Sequence, residues 1–231
     1  MVYVMSTIVF ASSKGGAGKT TAAIVLASEF ARQGASKGMN ITLIDADPNQ
    51  HSAKWASKEG KPQNIRVIEN SDEDSIIDDI EDANQDSAFV IVDLEGTASM
   101  AVASAISRAD LVIILCQGSQ DDADEAIKTI KLIKRQERLL ARKIAYSVLF
   151  TRTHPAITPR TLTYIINEFK KLEIEMFNCS LIDREAFRAI RSFGRTIENL
   201  DPNEVSGKDK AIANILAFTE EVKIKLLSLS K

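Results

Sequence analysis

Two cysteines in 231 residues, five prolines, a single tryptophan and no long apolar run mark this chain first by what it lacks. Cys116 and Cys179 are too few for a disulfide framework, and both stand in apolar surroundings, so a reduced, cytosolic protein is expected. The scattered prolines form no linker, and no repeat or low-complexity stretch divides the chain; one domain over residues 1–231 is expected. A membrane-spanning helix needs roughly 20 apolar residues, and no run approaches that length. Met1 to Ala11 carries no positive run before its apolar residues, unlike a secretory leader. Charge of neither sign dominates: 29 Lys and Arg against 32 Asp and Glu leave a net charge of −3. This excludes a uniformly basic nucleic-acid binder but leaves room for a local basic patch.

What is present is a series of short, nearly continuous apolar runs: Ser6 to Ala11, Ile41 to Ile44, Ala88 to Val92, Leu111 to Cys116 and Ile144 to Phe150. Runs rich in Val and Ile without polar alternation predict strands covered on both faces, as in a parallel sheet. Between them, Thr20 to Gln33, Ala123 to Leu140 and Pro159 to Leu172 have helical spacing, so the expected architecture is a doubly wound α/β fold with helices on both faces of a mostly parallel sheet. Charge is uneven along the chain. Glu69 to Asp86 holds nine acidic residues and no basic one, and Lys128 to Lys143 holds seven basic residues and one acidic one. Each reads most simply as a solvated helix face. Near the end, Ile215, Phe218, Val222, Leu226 and Leu229 fall on one helical stripe. Its polar side mixes Glu220 and Glu221 with Lys223 and Lys225, which favours packing on the core over membrane attachment.

The string Ser13-Lys14-Gly15-Gly16-Ala17-Gly18-Lys19-Thr20-Thr21 follows the first strand and opens the first helix. This is the setting of a phosphate-binding loop. Glycines let successive backbone N–H groups turn inward around phosphate oxygens, and the helix adds the positive end of its dipole. Lys19 can reach the β- and γ-phosphates, and the Thr20 hydroxyl can ligate Mg²⁺. Two carboxylates, Asp45 and Asp47, end the second strand in Asp45-Ala46-Asp47-Pro48-Asn49-Gln50, both on the side of the phosphates or, on the plainer reading, as loop caps before a helix. A third, Asp93, ends the apolar strand Phe89-Val90-Ile91-Val92, as an element holding a Mg²⁺-bound water would require.

The Lys-Gly-Gly-x-Gly-Lys-Thr-Thr string, with Lys14 before the glycine pair and Ser13 in place of the usual first glycine, resembles the deviant Walker A motif of the ParA/MinD family of P-loop ATPases. Asp45-Ala46-Asp47-Pro48-Asn49 is similar to that family's switch I, with Asn49 for glutamine. Leu94-Glu95-Gly96-Thr97 departs from its usual switch II, where Glu95 is an added acid. The resemblance implies ATP and Mg²⁺ as ligands, held by Lys14, Gly15, Gly16, Ala17, Gly18, Lys19, Thr20 and Thr21. It places Asp45 and Asp93 with Thr20 near the metal and Asp47 at the attacking water, and it makes Lys14 a lysine that reaches across a homodimer. Thr151-Arg152-Thr153-His154-Pro155 and Leu181-Ile182-Asp183-Arg184 match the two loops that cradle the adenine, where Asp183 or its backbone would read the amino edge of the base.

The implied activity is a slow, dimerising ATP switch that partitions or positions DNA. Its expected partners are non-specific DNA, gripped by Lys128 to Lys143, by Arg184, Arg188, Arg191 and Arg195, or by Lys208 and Lys210, and a ParB-like activator; nucleoid association follows if DNA is bound. VirC-type conjugative-transfer ATPases and ATPases that place protein clusters are the alternative, and a MinD-like membrane regulator is a further one. A nitrogenase-iron-protein relative is disfavoured by the two cysteines, and a dethiobiotin-synthetase-like enzyme by Lys14.

Overall fold

In the computed structural model, which describes residues 5–12, 14–96 and 99–229, the apolar runs lie side by side in one sheet. Its strands are β1 (Ser6–Ala11), β2 (Ile41–Ala46), β3 (Ile65–Ile68), β4 (Phe89–Leu94), β5 (Leu111–Cys116), β6 (Ala145–Thr153) and β7 (Leu181–Ile182). The order is β3-β2-β4-β1-β5-β6-β7, and every pairing is parallel. All six residues of β1, β2, β4 and β5 are buried, as strands sandwiched between helix layers must be.

The helices are α1 (Lys19–Gly34), α2 (His51–Ala56), α3 (Ile76–Asp86), α4 (Met100–Arg108), α5 (Gln120–Leu140), α6 (Arg160–Lys171), α7 (Glu185–Phe193) and α8 (Lys208–Leu229). Strand alternation sorts them into two cores. Ile8 and Phe10 of β1 join a cluster with Ile24, Phe30, Ile190 and Phe218, from α1, α7 and α8. Val9 and Ala11 point the other way, to Ile80, Ile106, Ile133 and Phe169 of α3, α4, α5 and α6. Each such side chain contributes on the order of 1.5–3 kcal/mol by leaving water.

The second part of the acidic stretch, Asp78, Asp79, Glu81, Asp82 and Asp86, lies on α3, with Ile76, Ile80 and Ala83 turned inward, while Glu69, Asp72, Glu73 and Asp74 precede the helix. One expectation needs correction. Leu229 does not share the buried stripe of Ile215, Phe218, Val222 and Leu226; it is exposed in the last turn of α8, beyond the residues packed on the core. Both cysteines stand in apolar surroundings as expected, Cys116 fully buried and Cys179 partly buried against the core, and neither forms a disulfide. Among the described residues no helix is long and apolar enough to cross a membrane.

The chain leaves β1 toward β2 on one side of the sheet and later returns to β5 on the other, so β1 sits between β4 and β5 at the topological switch point. In parallel sheets of this kind the crevice for a ligand opens beyond the strand C-termini at that point.

Candidate functional site

At the C-terminal end of β1 the chain turns through Lys14–Gly18 into α1. Gly18 takes the N-cap position of α1 in a left-handed conformation (φ 97°), which a residue with a side chain would resist, and offers no side-chain cap. The helix N-terminus is therefore left with free N–H donors. Side chains from other elements hold the loop in place: Thr151 Oγ1 donates to the Ala17 carbonyl at 2.7 Å, Gln117 Nε2 to the Gly16 carbonyl at 3.0 Å, and Lys14 N to Ser12 Oγ at 3.2 Å. Gly96 packs so closely that a Cβ there would lie 2.9 Å from Gly15 N. Ser13 and Thr97 lie outside the described residues.

Lys19 and Thr20 are buried at the head of α1. Burial pushes the Lys19 ammonium below its ordinary range, opposed by the charges of Asp93, Asp47 and Glu95. Asp45 and Asp93 are register neighbours on β2 and β4, one residue inside the strand ends, and both are fully buried. Burial raises the Asp93 carboxyl to about 7, against the hydrogen bonds from Ser52 and Thr20 that favour its charged form. Ser52 Oγ donates to Asp93 Oδ2 at 2.8 Å, while Oδ1 is buried with no partner. An orphaned carboxylate oxygen beside a buried hydroxyl and ammonium is the donor set that a hydrated Mg²⁺ and a phosphate would complete.

Asp45 is raised as well, chiefly by burial, and its oxygens accept from Ala53 N at 2.8 Å and Asp47 N at 3.1 Å. It thus shapes the turn from β2 into α2 beside Asp93, in keeping with the loop-capping reading of its sequence. Asp47 lies further out, its Oδ1 accepting from Asn49 N at 2.8 Å and Nδ2 at 2.9 Å. With Glu95, Gly15, Gly16, Lys19 and Thr20 it lines a cavity of 360 Å³.

A second cavity of 510 Å³ continues from the first through Gly18, Thr21, His51, Arg152 and Arg191. Leu181, Ile182, Asp183, Arg184 and Phe187 line its far end, so both loops quoted for adenine reach one space. The Asp183 carboxylate is paired with Arg188 Nη1 at 2.5 Å, and its backbone N–H donates to the Thr153 carbonyl at 2.9 Å. His154 does not line this space; its Nδ1 accepts from Ala156 N and Ile157 N in its own loop.

The sequence alone did not point to Ser52, His51, Gln117, Asp122 or the Thr151 hydroxyl as parts of the site. Only Thr151 had a local signal, as the first polar residue after the apolar part of β6. Lys14, by contrast, rests on Asp122 at the start of α5, Nζ to Oδ1 3.1 Å.

A family model described as "VirC1 protein" matches residues 5–224. Protein ParA of Rhizobium radiobacter is 38% identical over 222 residues, covering 96% of this chain and 98% of that protein. Among solved structures, a McdA variant of Cyanothece in complex with ATP has a TM-score of 0.77 at 16% identity, covering 96% and 98% of the two chains. The Mg-ADP complex of the septum site-determining protein MinD from Pyrococcus horikoshii has a TM-score of 0.71 at 14% identity, covering 94% and 96%. These two share the fold.

Proposed function

The chain belongs to the VirC1 protein family, among the ParA/MinD-type ATPases, and on that premise we propose that it is an ATP-dependent dimerising switch that hydrolyses ATP slowly and positions DNA. The observation that carries this reading is the pairing of two lysines in one loop, Lys19 buried among carboxylates and Lys14 half exposed at the loop's outer end.

The N–H groups at the head of α1 and the Lys19 ammonium grip the triphosphate, with the nucleoside running into the 510 Å³ cavity toward the Asp183 backbone. The Thr20 hydroxyl and Asp93, with Asp45 beside it, are the residues that would hold Mg²⁺ and its waters. When bound, the ion's chemistry is to offset charge on the β- and γ-phosphate oxygens. Asp47, on the open side of the phosphate cavity, orients the attacking water. The water oxygen bonds to the γ-phosphorus as the bond to the β-bridging oxygen breaks, and Lys19 faces the charge that develops there. Among the described residues no side chains at the site pair as nucleophile and base, so turnover is slow, on the order of 10⁻³ to 10⁻⁴ per second without an activator. Lys14 supplies a second cation to the nucleotide of a partner copy, which makes the nucleotide part of the dimer interface.

For DNA, the outer face of α5 supports contact better than the other basic segments. Lys131, Arg135 and Arg138 recur at i, i+4 and i+7, all exposed and none in an ion pair among the described residues, while Arg188 and Arg195 are committed to carboxylates. The VirC1 family match favours a second reading in which the DNA is a transfer origin. Gel shifts with a non-hydrolysable ATP analogue test both: partition predicts salt-sensitive binding to random duplex only when nucleotide is present. A marked preference for one sequence favours the second reading, and absence of binding in either case removes the DNA role.

A further inference from the structure

The two lysines of the phosphate loop face opposite sides of β1. The charges around Lys19 come from β2, β4 and the loops that follow them, namely Asp93, Asp47 and Glu95. Lys14 instead meets Asp122, which belongs to α5 after β5, on the other side of the switch point. Asp122 is prepared for that contact. Ser119 is the N-cap of α5, its Oγ accepting from Asp122 N at 3.2 Å, and its hydroxyl turns to Asp122 Oδ2. This capping arrangement fixes the carboxylate and leaves Oδ1 for Lys14 Nζ at 3.1 Å. The Asp122 side chain is 7% exposed and that of Lys14 49%, so the lysine can swing away while the acid stays. The helix N-terminus and the Ser119 hydroxyl continue to stabilise the carboxylate after the lysine leaves, which keeps release affordable.

We propose that Asp122 is a positioning residue that parks Lys14 on its own subunit, so that dimerisation requires each copy to release its lysine first. The proposal rests on the reading of Lys14 as the cross-subunit lysine. A parked lysine lowers the fraction of competent protomers, and the dimer needs two competent protomers, so the apparent dissociation constant rises with the inverse square of that fraction. If each Lys14 is free roughly one-tenth of the time, the dimer is weakened about 100-fold.

Sedimentation velocity of the full chain with a non-hydrolysable ATP analogue tests this, alongside the rate at which an amine reagent modifies Lys14 without nucleotide, read by peptide mass spectrometry. Asp122→Asn should dimerise at about 100-fold lower protein concentration and expose Lys14 to about tenfold faster modification. Ser119→Ala, which keeps the carboxylate but removes the hydroxyl that stabilises it once Lys14 leaves, should lower thermal stability and move both readouts the other way, to weaker dimerisation and slower modification. Lys14→Ala should fail to dimerise. If Lys14→Ala fails while Asp122→Asn dimerises no more tightly and labels no faster, the parking role is wrong and the cross-subunit role stands. If Lys14→Ala dimerises normally, the cross-subunit reading falls and takes the parking role with it. Should Asp122→Asn be too unstable to dimerise, unchanged labelling of Lys14 across mild pressure or salt that breaks exposed ion pairs would overturn the proposal, and faster labelling would support it.

Discussion

The buried Asp93 makes the ligand-free protein lose stability across the pH range where most proteins are steadiest. In the unfolded chain this carboxyl titrates near its ordinary 3.8, and in the fold, where it is fully buried, near 7. Between those values the folded protein keeps a proton that the unfolded chain has released, so unfolding is favoured as pH rises. The stabilisation is complete below pH 3.8 and gone above about 7. A shift of about three pH units corresponds to about 4 kcal/mol, with a slope approaching 1.4 kcal/mol per unit. The Asp45 carboxyl, also raised by burial, adds in the same direction. The lowered Glu137 acts oppositely, but below its ordinary 4.5, and so leaves pH 5 to 7 largely to Asp93. The group is half titrated at pH 7, so the loss over those two units is about 2 kcal/mol, which for a chain of this length lowers the melting temperature by roughly 4–8 °C. The assay is urea unfolding at pH 5, 6 and 7 without nucleotide, on wild type and Asp93→Asn, with the slope as the readout because the amide replaces the titrating group. A wild-type stability that rises over this range, or an equally steep loss in the variant, would refute the account of the buried carboxylate.

Lys19→Ala or Thr20→Ala should abolish ATP binding in calorimetry, each losing more than about 2 kcal/mol of charge-assisted or ligand contacts; unchanged affinity contradicts the loop assignment. Asp47→Ala should bind ATP normally, slow its hydrolysis and leave long-lived dimers in gel filtration, and normal turnover would end its water-orienting role. Gly96→Ala places a Cβ 2.9 Å from Gly15 N and 3.0 Å from the Lys14 carbonyl carbon, both backbone atoms that cannot step aside cheaply. A loss of about 1–3 kcal/mol in stability with weaker nucleotide binding is expected, and wild-type values in both would show that the two loops are free to separate.

How far the chain could be read from its sequence follows from the range of the interactions involved. β1 matches the expected run residue for residue, because a strand covered on both faces reads as a nearly continuous apolar run, here Ile8 to Ala11 after Ser6 and Thr7, and the glycine loop ends it. The edge strand β3 was not expected; in Ile65-Arg66-Val67-Ile68 only Ile65 is fully buried, so its pattern is too short and mixed to stand out. β2 and β4 run past their apolar stretches to include Asp45 and Asp93, since a buried carboxylate looks like a strand end in sequence. The composition, the loop and its helix, and the carboxylates near the ends of β2 and β4 were all legible in local pattern, where spacing within one element is enough. Which groups meet was decided only by the sheet order, which puts β4 and β5 on either side of β1. That order brings Ser52 to Asp93 across 41 residues, Thr151 to Ala17 across 134, and the two neighbouring lysines to carboxylates on opposite flanks. No periodicity in the chain encodes contacts at such separations, because they arise from the packing of whole elements.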